Sequence, residues 1–284
     1  MDAAPAITIV LPTFNRRHVL ERTLPGYQRL AARWPLLVID DGSHDGTAEW
    51  LRGLGITVIR VPHRGLPAAR NAGLHAARTP WVLFGEDDVL MPVETPAQLL
   101  AWAARLPRCA AVAPRLHNVR EWELPAAQPA PSPGTLLDLV GLRGDFAAPM
   151  AKAEFLPSLH ACALVDRAAV LAVGGYDTAF AGSHFREESD TYARLWRAGR
   201  SCWLVPDAWA IHVRHRLGGG CRSGTDFAHL AVNRLSYLVN DARFGRRHGV
   251  LWRRWGADSN PGEHAWRAAR KLVGNLVMQA VSRF

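Results

Sequence analysis

Four apolar runs punctuate the first 88 residues: ITIVLP (7–12), LLVIDDGS (36–43), ITVIRVP (56–62) and WVLFGEDD (81–88). Between them the apolar positions recur at helical spacing, which predicts helices after Thr13-Phe14-Asn15 as far as Leu30, over Thr47–Leu54 and over Pro67–Ala77. Near-continuous apolar strands alternating with helices predict parallel pairing, with both sheet faces covered. In such sheets ligands bind beyond the carboxyl ends of the strands. Pro12, Asp40, Asp41, Glu86, Asp87 and Asp88 all fall at those ends.

The pattern loosens after residue 116. Pro125, Pro129, Pro131 and Pro133 mark a loop. A strand is predicted at His160–Val165, a helix at Arg167–Val173, the turn Gly174-Gly175, and a helix from Thr191 to Ala198 stopped by Gly199. SCWLVPDAWAIHV (201–213) predicts two short strands around Pro206-Asp207, and the chain turns helical beyond Gly218-Gly219-Gly220. No repeat at solenoid spacing is present.

Composition and charge narrow the classes. With 284 residues, 49% hydrophobic and 21% charged, the chain has ample material for a core and is not of disordered composition. No apolar run approaches 18 residues, no secretory pattern opens the chain, and Cys109, Cys162, Cys202 and Cys221 form no CxxC pair. A cytoplasmic protein with reduced thiols is the expectation. The net charge of +9 is concentrated late: from Arg243 onward nine Arg/Lys face only Asp258 and Glu263. It therefore says little about chemistry in the first two hundred residues.

Glu86-Asp87-Asp88 is the first chemical candidate. Three adjacent carboxylates repel one another and are tolerated when solvated or neutralised by a cation. A hard ion such as Mg2+ or Mn2+ takes oxygen ligands and keeps positions for phosphate oxygens. Glu187, Glu188 and Asp190 form a second acidic cluster, either favouring a helix N-terminus or supplying a base. His212 ends the apolar stretch WAI (209–211); it suits a transition metal, with His215 as its competitor.

The ordered set ITIVLPTFNR (7–16), LLVIDDGSHDGT (36–47), GLPAARNAG (65–73) and WVLFGEDDVLMP (81–92) resembles glycosyltransferase family 2. The similarity continues through Gly174-Gly175-Tyr176-Asp177, FREESDTYARLWRAG (185–199) and His212, roughly residues 6–215. The resemblance implies an α/β, GT-A fold, Rossmann-like with a mostly parallel sheet flanked by helices. It implies a catalytic domain over 1–216, with about 1–115 binding a nucleotide-sugar and about 116–216 on the acceptor side. Residues 217–284 would be a helical, basic extension. Carried over by position, Pro12, Phe14 and Asn15 line the base and ribose pocket, Asp41 bonds the base, and Arg70 or Arg64 reaches the diphosphate. Asp40 is the alternative turn cap. Asp88 is the first metal ligand; Glu86, standing where Asp is commoner, and His212 join it. Asp87 touches ribose or donor sugar. Glu188 takes the base position, again where Asp is commoner, with Asp190 as fallback.

The implied activity is inverting transfer from a UDP- or dTDP-linked sugar to a small-molecule, glycan or lipid-linked acceptor, assisted by Mn2+ or Mg2+. Two rivals stand beside it: a non-catalytic nucleotide-sugar binder, and a nucleotidyltransferase, for which PTFNRR lacks the phosphate-cradling glycines. In the tail, Arg-Trp interleaving at 252–255 and the amphipathic stretch 265–284 suit either an anionic membrane surface or packing on the domain or a second subunit. No nucleic-acid module accompanies them.

Overall fold

A computed structural model describes residues 6–134, 136–138, 143–214 and 227–254. In chain order the first half runs β1 (Ile7–Thr13), α1 (Arg17–Ala31), β2 (Leu36–Asp40), α2 (Thr47–Gly53), β3 (Thr57–Arg60), α3 (Leu66–Ala76) and β4 (Trp81–Phe84). It continues with β5 (Val89–Leu90), α4 (Thr95–Arg105), β6 (Cys109–Val119), β7 (Leu137–Asp138), β8 (Arg143–Gly144) and β9 (Glu154–Phe155). The last elements are β10 (Leu164–Asp166), α5 (Arg167–Ala172), α6 (Glu187–Arg197), β11 (Ser201–Val213) and α7 (Phe227–Arg254).

The main sheet has the order β3-β2-β1-β4-β10-β6-β11-β5, with β9 on β11. β3, β2, β1 and β4 are mutually parallel, as the apolar runs predicted. β10 enters antiparallel between β4 and β6, and β11 returns parallel to β6. Every residue of β1 and β2 is buried because helices cover both faces. One apolar cluster joins Ile9, Leu20, Tyr27, Val38 and Leu83; a second joins Val10, Ile39, Leu74, Phe84 and Tyr192, and a smaller one Leu90, Ile211 and Val213.

Several sequence boundaries shift for physical reasons. The fourth strand stops at Phe84 rather than reaching Asp88, because the acid triplet turns away before β5 pairs with β11. The strand expected at His160–Val165 begins at Leu164. β11 is one strand, not two. Between Leu204 and Trp209 its partner β6 advances only from Ala113 to Arg115, so Pro206 and Asp207 are absorbed in a bulge. α6 begins at Glu187 rather than Thr191, which puts Glu187, Glu188 and Asp190 in its first turn. α4 and β6 had no counterpart in the sequence reading; β6 contains Pro114, a residue that argues against a central strand.

Cys109, Cys162 and Cys202 are buried free thiols. No helix among the described residues is long and apolar enough to cross a membrane. The amphipathic stretch 265–284 and His215 lie outside the described residues.

Candidate active site

The loop after β1 and the turn after β2 are stitched together. The Asn15 backbone N–H donates to Ser43 Oγ (2.9 Å), and the His44 N–H donates to Asn15 Oδ1 (2.7 Å). Asp40 is fully buried and caps its turn by accepting from Ser43 N (3.0 Å). Asp41 accepts from Arg64 N (3.0 Å) and Gly65 N (2.9 Å), and its Oδ2 lies 2.8 Å from His63 Nδ1. His63 in turn stacks on Phe14 at a centroid distance of 3.9 Å. Pro12 is buried in β1 opposite Ile39. The first four expected pocket residues thus surround one end of the parallel sheet.

The acid triplet lies across the same strand ends. Its backbone is fixed from α1: Tyr27 Oη donates to Glu86 O (2.8 Å) and accepts from Glu86 N (3.1 Å), while Thr23 Oγ1 donates to Asp87 O (2.7 Å). Gly85 is required here, since a Cβ would meet Tyr27 Oη at 2.5 Å. Arg16 clamps the side chains, with Nη2 2.8 Å from Asp87 Oδ1 and 2.7 Å from Asp88 Oδ2. This cation was missed from sequence, although it directly follows Asn15 in the loop facing the triplet.

The three carboxyls are held in different states. Burial, then the Asp88 charge, pushes Glu86 up to about 7 against the pull of Arg70. Burial also pushes Asp87 up to about 6 despite Arg16. Burial would raise Asp88 too, but His212 and Arg16 hold it down at about 2. His212 is raised in return, chiefly by Asp88.

The Asp88–His212 pair fits a divalent ion. Asn118 Oδ1 accepts from Arg214 Nε (3.1 Å) and lies 3.0 Å from His212 Nδ1. With Nδ1 bonded to Asn118, Nε2 faces Asp88 Oδ1 3.6 Å away, where a shared proton favours the pair and a divalent ion would take that proton's place. One nitrogen and one oxygen so spaced suit a shared metal. No group of three potential ligands converges among the described residues; Mg2+-type sites commonly use one or two carboxylates, with water and phosphate completing the shell.

At the second acidic cluster, Arg70 is placed differently from the expectation of a diphosphate ligand. Its guanidinium is fully buried, 5.3 Å from the Tyr176 ring and 5.9 Å from the Phe84 ring. It pairs with the equally buried Glu187, reaches Glu188 Oε1 at 3.2 Å and lies 3.9 Å from Glu86 Oε1. Arg70 thus joins the two acidic clusters through one cation. Asp190 turns away from the acceptor side. Fully buried, it accepts from Arg194 (2.8 Å) and from Arg247 (2.9 Å), with His248 Nε2 at 2.9 Å, and these partners bring it down to about 2 against its burial. Glu188 keeps 24% of its side chain exposed.

Glu86 and Glu188 line one cavity of about 320 Å³, together with Ser158, Phe185, Ser189 and Tyr237. Tyr237 comes from α7 and stacks on Phe185 at 4.7 Å. No sequence signal indicated that the late helix reaches the cavity wall.

Residues 8–149 match the family described as Glycosyl transferase family 2. The pre-mycofactocin glycosyltransferase of Mycobacterium tuberculosis is 32% identical over 217 residues, covering 72% of this chain but 42% of that relative. An N-acetylglucosaminyl-diphospho-decaprenol L-rhamnosyltransferase of the same organism is 28% identical over 292 residues, covering 89% of each chain. Among solved structures, S. aureus TarS 1–349 in complex with UDP-GlcNAc superposes with a TM-score of 0.56 at 13% identity, over 91% of this chain and 69% of that one. GalNAc-T7 with UDP, GalNAc and Mn2+ gives 0.60 at 16% identity, over 87% of this chain and 51% of that one. These last two likenesses establish the GT-A fold.

Proposed function

The chain belongs to glycosyl transferase family 2, and on that premise we propose that it moves a sugar from a UDP- or dTDP-linked donor to an acceptor hydroxyl by metal-assisted single displacement with inversion. The observation that carries this reading is the meeting of Glu86 and Glu188 in one cavity, with Arg70 between the two acidic clusters. A donor-side metal motif and an acceptor-side base have to approach one anomeric carbon from opposite sides, and a cavity shared by Glu86 and Glu188 supports that reading.

Each side chain then has a task. Phe14 offers its ring to the base, with Pro12, Asn15 and Asp41 shaping the pocket, and Asp87 faces ribose or donor sugar. Asp88 and His212 would hold Mn2+ or Mg2+, with Glu86 beside them. Such an ion offsets the charge that gathers on a leaving diphosphate. The Glu188 carboxylate takes the acceptor proton as the acceptor oxygen bonds to C1; the bond from C1 to the diphosphate breaks and its electron pair leaves with the nucleotide. Arg70, 3.2 Å away, orients Glu188. Glu187 pairs with Arg70 and balances its charge inside the fold.

The relative named for N-acetylglucosaminyl-diphospho-decaprenol makes a polyprenyl-linked acceptor the first to try. Such an acceptor sits at a membrane surface, and the excess of Arg and Lys from Arg243 onward suits an anionic one. Arg247 is already committed to Asp177 and Asp190. Any lipid contact would therefore fall to other basic residues.

Calorimetric titration of UDP, dTDP and GDP, with and without Mn2+, tests the donor side on wild type and Asp88→Ala. Metal-dependent binding of one nucleotide, lost in the variant, is the expected result. Absence of binding under every condition defeats the donor site. Glu188→Gln should lower turnover by about 100-fold or more while keeping nucleotide affinity; full turnover refutes the base.

A further inference from the structure

α6, which carries Glu188, is entered through an unusual backbone. His184 and Arg186 have φ of 55° and 73°, left-handed values for residues that are not glycine, and they flank Phe185. Arg186 is the N-cap of α6, and its side chain makes no capping hydrogen bond to the helix. Left-handed non-glycine backbone persists only where surrounding contacts over-determine it, and it clusters at functional sites.

Those contacts come from α7. The Arg186 guanidinium is buried, with Nε donating to Asp241 Oδ1 at 2.8 Å, and it sits 4.4 Å from the Phe185 ring and 5.6 Å from Phe244. Asp241 and Phe244 are one turn apart on α7. The neighbouring loop is tied to the same helix, with Ser183 N donating to Ser236 Oγ (2.8 Å) and Asn240 Nδ2 donating to Ala181 O (3.0 Å). On the other side of Glu188, Asp190 is bound by Arg247 and His248, further along α7. The residue two before the base and the residue two after it are therefore both held by α7, which lies beyond residues 8–149.

We infer that Asp241 is a positioning residue: through Arg186 it fixes the α6 entry and so aims the Glu188 carboxylate into the cavity. The inference rests on Glu188 being the base. A displacement of about 1 Å in a reacting group is enough to cost up to about 100-fold in rate. The role is therefore read in kcat rather than in donor binding.

The test uses the full chain with Mn2+ and whichever of UDP-glucose, UDP-N-acetylglucosamine and dTDP-rhamnose the wild type turns over with water as acceptor. Asp241→Asn should lower kcat about tenfold while leaving donor KM and nucleotide affinity within about twofold. Arg186→Gly removes the guanidinium yet suits the left-handed backbone, and should lower kcat at least as much. The double variant should lose no more than Arg186→Gly alone, because that change already removes the Asp241 contact. Asp241→Glu should recover most of the rate. Wild-type kcat in Asp241→Asn, beside a Glu188→Gln variant that is inactive, overturns the inference and leaves the base in place. A parallel fall in nucleotide affinity also overturns it, by showing a general loss of structure. Full activity of Glu188→Gln, or no turnover of any donor by the wild type, removes the base assignment and the inference with it.

Discussion

Glu86, Asp87 and Asp88 on the proposed donor side, and Glu187, Glu188 and Asp190 on the proposed acceptor side, are acidic clusters of equal size. The fold treats them in opposite ways. The donor triplet has Arg16 shared between Asp87 and Asp88, His212 beside Asp88 and Arg70 only at 3.9 Å from Glu86, and Glu86 and Asp87 are pushed up to about 7 and about 6. The acceptor cluster has Arg70 on Glu187, and Arg194, Arg247 and His248 on Asp190. Only Glu188 stays partly open. The donor triplet is short of positive charge that an ion could supply, whereas Glu187 and Asp190 are enclosed with theirs and Glu188, the proposed base, shares Arg70 at 3.2 Å while staying partly open. Charge count alone conceals this difference, because it depends on where Arg70, Arg194 and α7 come to rest.

The largest effect should follow from breaking the acceptor side at Arg70. Replacing it with Met leaves Glu187 fully buried with no partner, and removing one member of a buried ion pair costs about 3–5 kcal/mol. Urea unfolding of Arg70→Met, compared with the double variant Arg70→Met/Glu187→Gln, measures this; the double variant should recover much of the loss. A loss below about 1 kcal/mol in the single variant would mean that Glu187 is compensated some other way.

A smaller loss is expected at Asp190. Its folded carboxyl sits at about 2, below the ordinary 3.8. A group depressed on folding stabilises the protein above its unfolded value, and loses that contribution as pH falls through its folded value. Asp190 should therefore supply about 2 kcal/mol near neutrality that fades between about pH 4 and pH 2. Asp190→Asn should lose a similar amount at pH 7, and its stability should vary less with pH in that window. Matched urea midpoints at pH 7 and pH 3 for wild type and variant would show it.

How far these contrasts were legible in the sequence depended on the range of the signal. The apolar runs disclosed β1 to β4 and their parallel pairing because strand patterning is local, and β1, β2 and most of β4 are buried on both faces while β3 at the sheet edge is partly exposed. β6 was hidden by Pro114, and the two halves of β11 looked separate because a bulge absorbs Pro206-Asp207. For the site, ordered motifs pointed to both acidic clusters. They did not reveal that Arg70 would be enclosed between Phe84 and Tyr176, nor that Asp190 would be claimed by Arg247 and His248, 57 and 58 residues away. Pairings across such separations leave no trace in local periodicity. Arg16 is the intermediate case: a cation beside Asn15 was visible, but its carboxylate partners lie 71 and 72 residues on.

The last contrast concerns sign rather than size. Glu86 faces Asp88 and Glu188 as like charges, against which it has the charges of Arg70, at 3.9 Å, and of His212. Neutralising it without removing its volume, as Glu86→Gln does, should stabilise the metal-free protein by about 1 kcal/mol, since the side chain is 32% exposed and solvent screens part of the repulsion. Asp190→Asn changes a carboxylate in the same conservative way and should destabilise. Urea unfolding in EDTA at pH 7.5 would compare the two. Repeating it with Mn2+ and the nucleotide that binds should shrink or reverse the Glu86→Gln gain, because the ligand stabilises only the folded state and binds the wild type more tightly. A loss of stability for Glu86→Gln in EDTA would show that Glu86 is as fully compensated as Asp190. The donor triplet would then hold no surplus charge to draw a cation, and the division of labour between the two clusters would fail.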